Sequence, residues 1–162
     1  MLIKGLNECD FVNYKKTSMF IAFPTCDWKC ERDCGIKGLC QNSSLALEPN
    51  IEITIEELIN RYMDFPITEA IVVGGLEPFD SPEDLLRLVK YFRAVSQDDI
   101  IIYTGYTEDE LMHDEACHNY IIKNYKNIVI KYGRYVPNQE PHYDEVLGVK
   151  LASDNQYARR MS

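Results

Sequence analysis

Four of the chain's six cysteines, Cys26, Cys30, Cys34 and Cys40, fall within fifteen residues. Crowded thiols pair as disulfides in oxidising compartments and bind metal or do chemistry in reducing ones. Zinc and iron–sulfur clusters both take thiolate ligands. A structural zinc site usually shows two close pairs of cysteines. Here the spacing is a string, Cys26-x3-Cys30-x3-Cys34-x5-Cys40. A string on one segment fits a cluster wrapped by a single loop, with a zinc-braced binding module as the competing reading. Ligand number then sets the chemistry. A four-iron cluster held by three thiolates leaves one iron open to a small molecule. Held by four, it passes electrons or braces the fold. Cys9 and Cys117 lie apart from the string and read as ordinary thiols.

Such a loop needs strands to present it. Residues 17–23 (TSMFIAF) predict a short buried strand. Residues 24–50 follow as a long irregular segment, and a loop of that length in a compact domain is usually functional. Thr54-Ile55-Glu56-Glu57 reads as a capping box opening a helix to about Met63. Residues 69–73 (EAIVV) predict a strand ending in Gly74-Gly75. Ser81-Pro82-Glu83-Asp84 opens a second helix, with serine at the cap and Leu85, Leu88, Val89 and Phe92 on one apolar face. Residues 99–104 predict a strand, 107–124 a helix begun by a Thr107/Glu110 capping box, 127–132 a strand, and 148–151 a final strand. Strands alternating with helices imply right-handed crossovers and a mainly parallel sheet. Ligands on such sheets sit at the carboxyl ends of the strands. The cysteine loop, Gly74-Gly75 and Thr104-Gly105-Tyr106 should therefore converge on one sheet edge.

Composition narrows the partners. The chain has 162 residues and a net charge of −9, which argues against a nucleic-acid module or an anionic membrane surface. It has no long apolar run for a spanning helix, and its first residues lack the pattern of a secretory signal, so a cytoplasmic protein is expected. His113, His118 and His142 read as solvated or capping residues.

Four segments, in order, resemble the radical S-adenosylmethionine activases of anaerobic ribonucleotide reductases, a group of glycyl-radical activating enzymes. Cys26-Asp27-Trp28-Lys29-Cys30 matches the first two cysteines of the family's triad. Gly74-Gly75-Leu76-Glu77-Pro78 is similar to its Gly-Gly-Glu-Pro motif with one residue inserted. Ile102-Tyr103-Thr104-Gly105-Tyr106-Thr107 resembles its Tyr-Thr-Gly-Tyr-Thr segment, and Ser153-Asp154-Asn155-Gln156 its Gly-Ser-x-Asn-Gln. Gly133-Arg134-Tyr135 resembles the turn after its fourth core strand, so the similarity runs over residues 17–160.

The resemblance implies an α/β fold, a partial (β/α) barrel with a mainly parallel sheet in one domain over 1–162, with the cluster loop after the first core strand. It implies a 4Fe-4S cluster and S-adenosylmethionine as cofactors. It also implies an electron donor such as flavodoxin, and a glycyl-radical enzyme as partner. Gly74, Gly75 and Glu77 would lie along the methionyl part of the cofactor, beside Thr104 and Gly105. The family's third cysteine falls at Asp33 in this chain. Cys34 is nearer in spacing, while Cys40 keeps the following Cys-x-Asn pattern with Gln41-Asn42. Loop closure separates the two by only about 1 kcal/mol. The pattern match favours Cys40, and both stay as metal ligands to be decided. The family's adenine-packing aromatic before that cysteine is absent, and Trp28 is the aromatic left to take its place. A closed cluster bound by all four loop cysteines, without enzymatic activity, is the alternative.

Overall fold

Short runs of isoleucine and valine form the centre of the protein. SMFIAF, AIVVGG, DIIIY and IVIKY are too short and too β-branched for helices and too continuously apolar for a solvated face. A computed structural model describes residues 1–114 and 116–162. Its strands are β1 (Leu2–Ile3), β2 (Gly5–Asp10), β3 (Ser18–Phe23), β4 (Ile51–Glu52), β5 (Ala70–Gly75), β6 (Asp99–Tyr103), β7 (Ile128–Tyr132), β8 (His142–Asp144), β9 (Val149–Leu151) and β10 (Tyr157–Arg160). Its helices are α1 (Lys29–Cys34), α2 (Ser43–Leu47), α3 (Ile55–Met63), α4 (Pro82–Val95), α5 (Glu108–Asp114) and α6 (Ala116–Asn124).

The main sheet has the order β10-β7-β6-β5-β3-β2. β3, β5, β6 and β7 are parallel neighbours, in the register Ala22 to Gly74, Val73 to Ile102 and Ile102 to Ile130. β2 and β10 run antiparallel along the two edges. The fold is thus mixed α/β around a mainly parallel sheet. Among the described residues no ladder joins β10 to β2, so the sheet is open.

Side-chain alternation sends Met19, Ile21, Phe23, Ile71, Val73, Ile100, Ile102, Ile128 and Ile130 to one face, where α3, α4 and α6 cover them. Leu58 and Tyr62 of α3 meet Leu88 and Phe92 of α4 there, with the Tyr62 and Phe92 rings edge to face at 4.8 Å. Val72, Ile101 and Val129 point the other way, with Ala158 of β10 on the same face, and cluster there with Tyr14, Leu147 and Leu151. Consecutive strand order with the crossover helices on one face is the pattern of a singly wound β/α unit. A doubly wound sheet carries helices on both faces.

Several sequence expectations change. Residues 149–151 do form a strand, but among the described residues β9 pairs with β8 alone, in a separate hairpin. The main sheet ends instead on β10, whose YARR sequence lacks an apolar alternation because it is an edge. The 107–124 helix comes as α5 and α6, with Glu115 outside the described residues. Thr107 and Glu110 form the expected reciprocal box. Ser81 does not cap α4, because its hydroxyl is engaged with Thr25 Oγ1 at 2.7 Å. His118 is neither solvated nor capping: it is fully buried, with Nε2 3.0 Å from the Tyr132 hydroxyl.

At the amino end of β6 the buried Asp99 carboxylate accepts hydrogen bonds from Tyr14 (2.9 Å), Lys16 (2.7 Å) and Arg160 (2.9 Å). This cluster ties the segment before β3 to the last strand. Burial works to raise the Asp99 carboxyl, but the bonds from Arg160, Lys16 and Tyr14 outweigh it and hold it at about 2, against an ordinary 3.8. A depressed folded value contributes stability that is complete above pH ~4 and lost as pH falls toward ~2, worth roughly 2 kcal/mol. Asp99→Asn should lower the urea midpoint at neutral pH. It should also flatten the fall of that midpoint across this acid window.

Candidate metal centre

The site is built where β5 stops. Gly75 has φ +80°, and a Cβ there would lie 2.9 Å from the Ala22 Cα and 2.8 Å from its Cβ on the neighbouring strand. Only glycine tolerates both the left-handed backbone and the close approach. Beyond it the chain keeps pairing with the segment after β3. Leu76 N–H donates to Phe23 O (3.4 Å) and Glu77 N–H to Thr25 O (2.7 Å). This pairing carries the start of the cysteine loop past the end of β5 and sets Cys26 beside Glu77.

Glu77 itself is turned toward β6. Its carboxylate accepts from Thr104 Oγ1 (2.8 Å), Gly105 N–H (2.8 Å) and Phe79 N–H (3.1 Å). Burial pushes its carboxyl up to about 7, because these neutral donors compensate desolvation only in part. Thr104 Oγ1 in turn accepts from Tyr106 N–H, and Gly133 N–H donates to Tyr106 O. Gln156 Oε1 accepts from Ser153 N–H, and Asn155 Nδ2 donates to Arg134 O. The Gly-Gly-Leu-Glu, Thr-Gly-Tyr, Gly-Arg-Tyr and Ser-Asp-Asn-Gln segments are therefore joined by direct hydrogen bonds at one sheet edge.

A cavity of about 330 Å³ opens beside them. Cys26, Cys30 and Cys40 line it, with Gly75, Glu77, Thr104 and Gly105. Cys40 is near enough to Cys30 to help raise its thiol. Asn42 Nδ2 donates to Gly75 O at 2.5 Å and so anchors the Cys40 segment to the glycine turn. Cys34 does not line this cavity: it lines a second one of about 150 Å³, together with Cys30, Asp33, Thr107 and Arg134. Gly74 lies within β5, packed against Tyr103 and Phe20, and is not among the residues lining the larger cavity. Neither is Trp28, the left-handed residue (φ 61°) before α1. Cys117 is buried against Pro82 O, away from the other thiols.

Burial pushes the Cys26 thiol up to about 12, helped by the charges of Glu77 and Asp80, and the Cys30 thiol to about 11, helped by Cys40. Without metal these sulfurs are neutral thiols, and a metal that binds them must displace protons. The larger cavity's basic side chains among the described residues are Lys29, Lys131, Arg134 and Lys150, and its acidic ones Asp27 and Glu77. That is an excess of cations in a chain of net charge −9. Lys131 is buried, donates to Gly133 O at 2.6 Å, and is lowered to about 8 by desolvation, which Glu77 partly offsets.

Sequence reasoning missed Lys131 and Asp80 as members of the site. Lys131 carried a signal, as the one charged residue in the apolar strand NIVIKY. Asp80 carried none: its Oδ1 accepts from Tyr106 Oη and its Oδ2 from Asp27 N–H, contacts made across three separate strand ends.

A soft-metal donor set of grouped thiols, facing a cation-rich cavity at the carboxyl edge of a parallel sheet, defines an iron–sulfur protein of α/β type. The chain belongs to the 4Fe-4S single cluster domain family, whose model matches residues 15–156. No curated protein and no solved structure matches it. The donor set fits such a cluster, since thiolates would add negative charge that the lysines and arginine of the cavity can balance. Glu77→Gln should replace one acceptor oxygen by a donor facing Gly105 N–H or Thr104. The variant should be less stable by about 1–3 kcal/mol in urea titration of the metal-free protein. An unchanged midpoint would show that the three bonds do not brace the site.

Proposed function

We propose that the chain is a radical S-adenosylmethionine enzyme in which Cys26, Cys30 and Cys40 hold the 4Fe-4S cluster and leave one iron for the cofactor. The observation that carries this reading is the division of the loop thiols. Cys26, Cys30 and Cys40 share the cavity of the strand-end turns, and Cys34 lines only the smaller one, beside Cys30. A closed cluster would have no use for Gly75, Glu77, Thr104 and Gly105 at its side. When reduced by an external donor such as flavodoxin, the bound cluster supplies the electron that splits S-adenosylmethionine into methionine and a 5′-deoxyadenosyl radical. The chain's own residues bind and orient the cofactor. The backbone at Gly75 accommodates its methionyl part, with Gly74 behind it in the strand, Lys131 supplies a cation for its carboxylate, and the cavity wall at Thr104-Gly105 limits access of water. The sheet would curve as a partial (β/α) barrel around this assembly. A glycyl-radical enzyme such as an anaerobic ribonucleotide reductase is the proposed recipient of the radical, in the cytoplasm, and the chain acts as one domain.

Two measurements test the reading. Protein purified without air should be brown. Cys26→Ala, Cys30→Ala and Cys40→Ala should each abolish the iron content, while Cys34→Ala, Cys9→Ala and Cys117→Ala keep it. Equal loss in the Cys34 variant would turn the protein into a closed four-thiolate carrier. Adding millimolar S-adenosylmethionine to the dithionite-reduced protein should change the cluster's electron paramagnetic resonance spectrum and yield 5′-deoxyadenosine. A spectrum that does not respond, with no 5′-deoxyadenosine formed, would remove the enzymatic reading.

A further inference from the structure

α1 carries Cys30 and yet has no buried residue, and no residue of the whole segment 24–50 is buried. Hydrophobic packing therefore does not hold this helix against the sheet. Polar ties do. Asp27 N–H donates to Asp80 Oδ2 at 2.7 Å, just before the helix. Lys29 Nζ lies 3.7 Å from the centre of the Tyr106 ring, at its first turn. Beyond Cys30, the tie from α1 to the sheet among the described residues is the ion pair of Asp33 Oδ2 with Arg134 Nε at 3.1 Å.

Arg134 is itself well fixed. Its Nη2 donates to Glu110 Oε1 at 2.6 Å, its backbone oxygen accepts from Asn155 Nδ2, and its side chain is only 13% exposed. It lies between the two cavities and lines both, as Cys30 does. Asp33, 57% exposed, lines only the smaller one, so its carboxylate is turned to Arg134 and away from the cavity of Cys26 and Cys40. The position at which the resemblance leads one to expect a ligand is thus used for an ion pair.

We propose that Arg134 is a positioning residue for the cluster. Through Asp33 it clamps the second half of α1 and thereby holds the Cys30 sulfur against those of Cys26 and Cys40. The role rests on the ligand set given under Proposed function. The Asp33–Arg134 contact is an ion pair of poor hydrogen-bond angle, so its contribution is charge attraction and is screened by salt.

The test uses anaerobically reconstituted protein and the rate at which iron passes to an excess of chelator. Asp33→Asn and Arg134→Gln should each speed iron loss about two- to fivefold, the scale of one partly exposed ion pair. The double variant should be no faster than the faster single one, and Arg134→Lys should restore most of the wild-type rate. Unchanged rates in both single variants, or effects that multiply in the double one, would overturn the proposal. If Arg134→Gln does not fold, for want of the Glu110 contact, Asp33→Asn alone decides. Amide hydrogen exchange of the metal-free protein separates this proposal from the ligand assignment. Faster exchange over residues 29–34 in Asp33→Asn upholds the clamp even if the wild type takes up no cluster, in which case the cluster reading fails. Unchanged exchange there sinks the clamp while leaving that reading untouched.

Discussion

A carboxylate buried with only neutral hydrogen-bond donors is costly, and this protein places one, Glu77, between the ends of two parallel strands. The cost is met by geometry. The oxygens of Glu77 accept from Thr104 and Gly105 beyond β6 and from Phe79 in its own turn, while its N–H reaches Thr25 beyond β3. One residue thus fixes three strand ends relative to one another. The cavity, the approach of Cys26 and the seat of the Cys40 segment on Gly75 all follow from that registration. Removing the carboxylate would leave the buried Thr104 hydroxyl and the half-buried Gly105 amide without their acceptor.

Burial is distributed unevenly around this point. The sheet and its helices are packed by isoleucine, leucine and phenylalanine, and they need no ligand to hold their shape. The cysteine loop has no buried residue and is tied down by single polar contacts, Asp27 to Asp80, Lys29 over Tyr106 and Asn42 to Gly75. Metal binding to such a segment supplies ordering free energy that the apolar core supplies elsewhere. The strand-end half of the site is thus packed by the apolar core, and the cysteine half is held by polar contacts.

Much of this was legible in the amino-acid sequence, for physical reasons that differ from place to place. β3, β5, β6 and β7 announced themselves because strands buried on both faces must be apolar throughout. The edge strands β2 and β10 did not, since GLNECD and YARR meet solvent and carry no alternation. The convergence of Gly75, Glu77 and Thr104 on one edge followed from parallel topology alone. Which thiol stands apart did not follow from spacing, because loop-closure entropy hardly distinguishes Cys34 from Cys40. In the structure Cys40 lines the larger cavity and Cys34 the smaller, a difference of chain direction that spacing does not encode. His118 misled because its neighbours in the sequence are polar, whereas its partner, Tyr132, lies on a strand fourteen residues on.

The two halves of the site also differ in how freely they can change over evolutionary time. Gly75 admits no other side chain without a clash against Ala22, and Glu77 no other length without losing its donors, so substitutions there are filtered by the fold itself. The loop between Cys30 and Cys40 displaces nothing from the core when it gains or loses residues, and a doubling of its length costs only about 0.6 kcal/mol. Ligand spacing is consequently the part of the design most open to drift. A lineage can slide a cysteine along this segment, one insertion at a time, without disturbing the strand ends that the metal faces.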